Sequence, residues 1–70
     1  MPTILVSSSA IRALAYEPTT QNLVVEFVRA SARYIYLRVS PEVFTEFATA
    51  SSKGQFFNRN IRDRYSFVRG

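Results

Sequence analysis

The chain has 70 residues, of which 47% are hydrophobic and 20% charged, and it contains neither histidine nor cysteine. This composition excludes a disordered chain and indicates a folded module made of a single domain, residues 1–70. The lack of cysteine excludes disulfides and thiolate metal sites and favours an intracellular, cytoplasmic setting. No window approaches the ~20 apolar residues that a membrane span needs, so we expect no membrane contact.

The net charge of +4 comes entirely from the C-terminal part of the chain. Residues 1–50 hold four arginines and four glutamates, which cancel, whereas residues 51–70 hold five basic residues and only Asp63. An anionic partner would therefore be attracted first to the C-terminal segment.

Three segments rich in valine, isoleucine, tyrosine and phenylalanine predict strands at residues 8–16, 23–28 and 33–39. The turn-forming residues 18–22 separate the first two, and a short loop at residues 29–32 separates the second and third. Connections this short predict neighbouring strands in an antiparallel meander.

The register across the second loop decides which face carries Tyr34 and Tyr36. If Val28 faces Arg33, then Phe27 lies opposite Tyr34 and Val25 lies opposite Tyr36, and both tyrosines share the Leu23 face. A slip of one residue would move them to the other face, so the sequence leaves both arrangements open.

Two amphipathic helices follow the strands. Ser40 is a suitable N-cap, with Pro41 at the first helical position and Glu42 favourable at the positive end of the helix dipole. The first helix extends to about residue 50, and Ser51 or Ser52 can cap a second helix over residues 54 to about 65. The predicted fold is α+β: a three-stranded antiparallel meander followed by two helices packed on one face (β-β-β-α-α), which leaves the other face uncovered.

The segments SSAI, AYEP, LVVEF, YIY, SPEVF and SSKGQFFNRNI resemble the KTSC domain over nearly the whole chain. In this resemblance, Tyr34 and Tyr36 correspond to a tyrosine pair of the family, and Ser52, Gly54 and Phe56 to its Ser-x-Gly-x-Phe element. The family comprises small stand-alone bacterial and phage proteins and a C-terminal module of some lysyl-tRNA synthetases. Attachment to a tRNA enzyme implies RNA binding.

The residue types argue against an enzyme. Without histidine and cysteine, the chain lacks the commonest general base and the thiolate nucleophile. The five acidic residues show no metal-ligand spacing, and Glu42 and Glu46 lie on the outer face of a helix. We therefore expect no catalysis, no metal and no cofactor.

Two groups of C-terminal residues are candidates for phosphate binding. Ser52, Lys53 and Gly54, with the free N–H groups of the following helix, can hold one phosphate; alternatively they form an ordinary N-cap and a tight loop that needs Gly54. Arg59 and Arg62, one helical turn apart, can follow a phosphate backbone; alternatively they are solvated, or pair with acidic residues of another copy.

The tyrosine pair has three interpretations. Tyr34 and Tyr36, with Arg12 and Arg38 on an open sheet face, would form a platform on which bases stack. Otherwise the tyrosines belong to the core, or their face is buried against a second copy.

The leading hypothesis is a non-catalytic binding module for RNA or a phosphate-bearing nucleotide, which uses the basic C-terminal helix, the helix N-terminus and Arg38. The alternative is a homo-oligomeric protein-interaction module whose uncovered sheet face is the contact. A phage or bacterial sponge that sequesters a nucleotide signal between subunits is one form of it. We expect a homo-oligomer because a chain of this size has a thin core.

Overall fold

The computed structural model describes residues 3–5 and 10–70 and has an α+β fold. Five strands form one antiparallel sheet in the order β1-β2-β3-β4-β5. The elements in chain order are β1 (Thr3–Leu5), β2 (Ile11–Glu17), β3 (Asn22–Phe27), β4 (Arg33–Tyr36), α1 (Pro41–Thr49), α2 (Lys53–Phe56), a π-helical turn (Phe57–Ile61) and β5 (Phe67–Arg69). The predicted class is confirmed, but the prediction of three strands was wrong, because two short edge strands complete the sheet.

The predicted strand bounds are close for the central strands and too long for β4. The first two predicted strands correspond to β2 and β3, although residues 8 and 9 lie outside the described part. β4 ends at Tyr36 and not at residue 39, because Arg38 adopts a positive φ of 60° that turns the chain out of the sheet. This turn buries Val39, whose carbonyl accepts a hydrogen bond of 2.5 Å from the Tyr16 hydroxyl.

Both tyrosines of β4 lie on the Leu23 face, which is one of the two arrangements that the sequence leaves open, but with other partners. Val25 is opposite Tyr34 and Leu23 is opposite Tyr36. This register differs by two residues from the one in which Phe27 is opposite Tyr34. A shift of two keeps every side chain on its face, whereas a shift of one would have exchanged the faces. The connection between β3 and β4 begins before residue 29, because Phe27 already leaves the ladder with β4.

The first helix begins as predicted. The Ser40 hydroxyl accepts a hydrogen bond from the Val43 N–H at 3.3 Å, and Pro41 stands in the first turn. The predicted second helix over residues 54–65 is shorter: α2 passes into the π-helical turn, in which the Arg62 N–H bonds the Phe57 carbonyl at 2.9 Å. The chain then turns and returns to the sheet as β5.

The helical segments pack on one face of the sheet, where the main core lies. Its members come from β2, β3, β4, the Arg38 turn and the helical segments: Ile11, Leu14, Tyr16, Leu23, Val25, Tyr36, Val39, Phe47, Phe57 and Ile61. The other side, here called the reverse face, carries the row Ala15, Val24, Ile35 and Val68 across β2 to β5. Val24 and Ile35 are half-buried and Val68 is 53% exposed, so this apolar row is partly accessible among the described residues.

Candidate nucleic-acid interface

A groove lined by aromatic rings runs between β4, β5 and the π-helical turn. Its volume is about 450 Å³. We call it the aromatic groove, and its lining residues are Phe27, Ala30, Tyr34, Tyr36, Phe57, Arg62, Asp63 and Phe67.

The rings of the groove pack edge to face and tilted, in the geometries that aromatic pairs prefer. Phe57 meets Phe27 at 5.1 Å and Tyr36 at 5.5 Å between ring centroids, both near perpendicular. Phe67 lies 5.5 Å from Tyr34 and 5.3 Å from Tyr36. Tyr36 and Phe57 are buried and form the floor, whereas Phe67 is 49% exposed and offers ring surface to a ligand.

Charged side chains surround these rings. Arg62 and Asp63 line the groove, and the Arg69 guanidinium lies 5.9 Å from the Tyr34 ring centroid. Beyond Phe27, the surface continues into a second hollow of about 500 Å³ that Arg29 lines. Arginines and one carboxylate, that of Asp63, therefore lie beside a largely apolar surface.

Burial raises the pKa of the Tyr36 hydroxyl above its usual value. A negative charge on Tyr34 would raise the pKa of Tyr36 further, and the Arg62 guanidinium lowers it. Burial therefore opposes ionisation of Tyr36, and the Arg62 guanidinium favours its charged form.

The predicted phosphate site at the start of the second helix has its polar groups engaged elsewhere. The Ser52 hydroxyl accepts from the Gln55 N–H at 3.4 Å, as an N-cap does, and the Lys53 ammonium donates to the Ala50 carbonyl at 2.6 Å. Gly54 has no positive φ, so the expected need for glycine backbone freedom was wrong. A Cβ at Gly54 would lie 3.7 Å from the Cβ of Ala10, which is ordinary contact.

Arg59 and Arg62 do not converge on one site. Arg62 lines the aromatic groove, whereas Arg59 lines a different hollow between α1 and the second helical segment. The π-helical turn separates them, because an i→i+5 hydrogen bond widens the turn and residues three apart no longer share a face.

Arg12 and Arg38 lie apart from the tyrosines. Arg12 forms an ion pair with Glu26 at 2.7 Å, and the register of Glu26 with Ala13 places that pair on the reverse face. Arg38 lines a hollow with Arg64, next to Tyr65. Of the three interpretations of the tyrosine pair, the open platform was wrong, because the helical segments cover this face: Tyr36 belongs to the core and Tyr34 packs against it.

Sequence reasoning missed several residues that complete the aromatic groove. Phe67 and Arg69 lie on β5, a strand of three residues that is too short for an alternating pattern to be recognised. The sequence predicts a strand for Phe27 and a helix for Phe57, and packing of the helical segment on the sheet brings the two rings together. The alternation of Phe67 and Arg69 around Val68, after the turn-forming residues 62–66, is the signal that could have indicated this strand.

The described residues contain no candidate metal-binding group and no candidate membrane-spanning helix. Within residues 3–5 and 10–70, acidic side chains form no group of three that could hold a metal ion. Among the same residues, no helix has the length and hydropathy to cross a membrane.

Comparison with known proteins assigns the family. The sequence model of the KTSC domain matches residues 7–65. The chain belongs to the KTSC domain family. The crystal structure of a KTSC domain protein from Yersinia pestis superposes with a TM-score of 0.93 at 32% identity and covers 99% of this chain and 96% of that chain. The resemblance of the sequence segments to this family is therefore confirmed.

Two kinds of relative share the KTSC sequence. A protein from Tsukamurella paurometabola is 41% identical over 63 residues, which is 90% of this chain and 92% of that protein. A lysine–tRNA ligase from Nostoc punctiforme is 38% identical over 66 residues, which is 94% of this chain but only 12% of the ligase. The domain thus occurs both as a small protein and as a minor part of an enzyme.

Proposed function

We propose that this KTSC domain is a non-catalytic module that binds single-stranded RNA or a phosphate-bearing nucleotide in the aromatic groove. The observation that carries this proposal is an exposed Phe67 ring beside Tyr34, with Arg62 at the same groove. A base stacked on Phe67 would extend the tilted ring packing of the groove. A phosphate next to that base would meet Arg62.

The remaining groups of the groove suit this ligand class. The Asp63 carboxylate can accept hydrogen bonds from the amino groups of a base, and Arg29 in the adjoining hollow can meet a second phosphate. The occurrence of the domain within lysine–tRNA ligases supports RNA as the polymer. The proposal keeps the ligand class of the leading hypothesis from the sequence. It replaces the N-terminus of the second helix with the aromatic groove as the binding site.

The test is fluorescence anisotropy with a labelled single-stranded RNA at low salt. Phe67→Ala should weaken binding by about five- to 150-fold, because each stacked base contributes ~1–3 kcal/mol. Arg62→Glu should also weaken binding, and the affinity of the unaltered protein should fall steeply as salt rises.

Arg59→Glu is the matched control for Arg62→Glu. It makes the same change of charge three residues earlier in the chain, but outside the aromatic groove. If both glutamate variants lose affinity equally, binding follows net charge and the groove has no special role. No retention of RNA or nucleotide at low salt would overturn the proposal altogether.

A further inference from the structure

The outer edge of β5 has backbone groups that point away from the sheet. Arg33 and Gly70 exchange two hydrogen bonds, at 3.1 and 2.7 Å, and the Leu37 N–H bonds the Ser66 carbonyl at 2.9 Å. Because hydrogen-bonded and non-hydrogen-bonded pairs alternate along an antiparallel ladder, the N–H and C=O groups of Phe67 and Arg69 face outward. β5 is the last strand in the sheet order, so no described strand covers them.

Apart from its short length and the charge of Arg69, this edge lacks the usual protection of exposed strands against pairing. Consecutive large apolar residues are exposed on it, Phe67 at 49% and Val68 at 53%. Residues 66–70 contain no proline and no lysine, which natural edge strands use to block pairing.

We propose that two copies of this chain associate through their β5 edges, antiparallel about a twofold axis at Val68. In this register, Phe67 of one copy lies opposite Arg69 of the other. In each of these two symmetry-related pairs, the outward-facing N–H and C=O groups of one strand lie opposite those of the other. Two reciprocal pairs of backbone hydrogen bonds form, and the two sheets become continuous.

The side chains of β5 suit this pairing on both faces. Phe67 and Arg69 share the face of Tyr36 and Tyr34, so each guanidinium would lie beside the phenylalanine ring of the second copy, a favourable cation–π arrangement. On the reverse face, Val68 meets its own copy and extends the row Ala15, Val24, Ile35 and Val68 across the boundary. The sequence of β5 is therefore complementary to itself, which favours a second copy as the occupant.

A single cysteine tests the axis directly, because the chain has none of its own. Val68 residues across the axis would form a non-hydrogen-bonded pair with Cα atoms about 4.5 Å apart, within the range that a disulfide spans. Val28→Cys is the matched control, since Val28 is 50% exposed. Under mild oxidation, Val68→Cys should form covalent dimer at least about tenfold faster than Val28→Cys, owing to the high effective concentration in the associated pair. Equal rates would overturn the proposal.

Proline at the edge provides a second test. Arg69→Pro removes an outward N–H and leaves the hydrogen bonds to β4 intact, so the fold should persist by circular dichroism while self-association is lost. Arg69→Ala keeps the N–H and should retain part of the association. Sedimentation velocity would distinguish the 8.0 kDa chain from a species of twice that mass. A chain that stays monomeric at every concentration, or an Arg69→Pro variant that still dimerises, would contradict β5 pairing.

Salt separates this inference from the proposed function. Two copies that each carry a charge of +4 repel one another, so their association should strengthen as salt screens them. Binding of RNA should weaken over the same range. Failure of one proposal thus leaves the other measurable.

Discussion

Arg38 holds a left-handed backbone conformation that is costly for any residue with a Cβ. Its φ of 60° turns the chain after β4 so that Val39 enters the core and the Val39 N–H reaches the Gln21 carbonyl at 2.9 Å. The packing of Val39 accounts for this strain without a ligand. The phosphate-binding role expected of Arg38 stays a prediction.

Replacement of Arg38 by glycine should remove the strain. We expect Arg38→Gly to be about 1 kcal/mol more stable than Arg38→Ala, because the left-handed region costs ~1–2 kcal/mol for L-residues and glycine loses part of this gain in chain entropy. Urea unfolding at neutral pH measures the difference. Thr45, which is exposed within α1, is the control position. There the glycine variant should be less stable than the alanine variant. Equal stability of the two Arg38 variants would contradict the argument.

At the scale of elements, the sequence predicted the features that nearby residues determine. It did not predict the features that depend on contacts between distant residues. The start of α1 is determined by Ser40, Pro41 and the periodicity that follows, all within one short segment. The end of β4 depends on contacts with distant residues, such as the hydrogen bond from the Tyr16 hydroxyl to the Val39 carbonyl. β5 is stabilised as a strand by its pairing with β4 and has little pattern of its own.

The N-cap of α1 can be tested by removal of one hydroxyl. Ser40→Ala should lower the free energy of unfolding by about 1 kcal/mol, because the Val43 N–H loses its partner at the helix start. Thermal or urea unfolding reports the change. Ser51→Ala, at an exposed serine beyond the C-terminal end of α1, should have almost no effect. A comparable loss in both variants would show that the cap is not the cause.

At the scale of the whole molecule, the pH dependence of stability follows from buried phenols. Burial raises the pKa of Tyr36, and burial followed by the charge of Glu42 raises that of Tyr16. Unfolded tyrosines titrate near about 10, so stability is fully present below that pH and declines above it, where the unfolded chain loses its protons first.

Tyr36→Phe should make this alkaline decline shallower, because phenylalanine cannot ionise in either state. The measurement is the urea midpoint as a function of pH across the range of about 8 to 11. Tyr65→Phe, at a half-buried tyrosine outside the main core, is the comparison. An unchanged slope in the Tyr36 variant would refute the assignment of the decline to that buried phenol.

The sheet follows chain order, yet its pairs differ greatly in how far apart their strands lie in sequence. Four residues connect β2 to β3, whereas both helical segments lie between β4 and β5. Closing a connection of about thirty residues costs roughly 2 kcal/mol more chain entropy than closing one of four. The last strand should therefore dock late during folding and detach first in local openings. Each detachment removes Phe67 from the other rings. A ligand bound among these rings would therefore stabilise the docked state of β5 and make its detachment rarer.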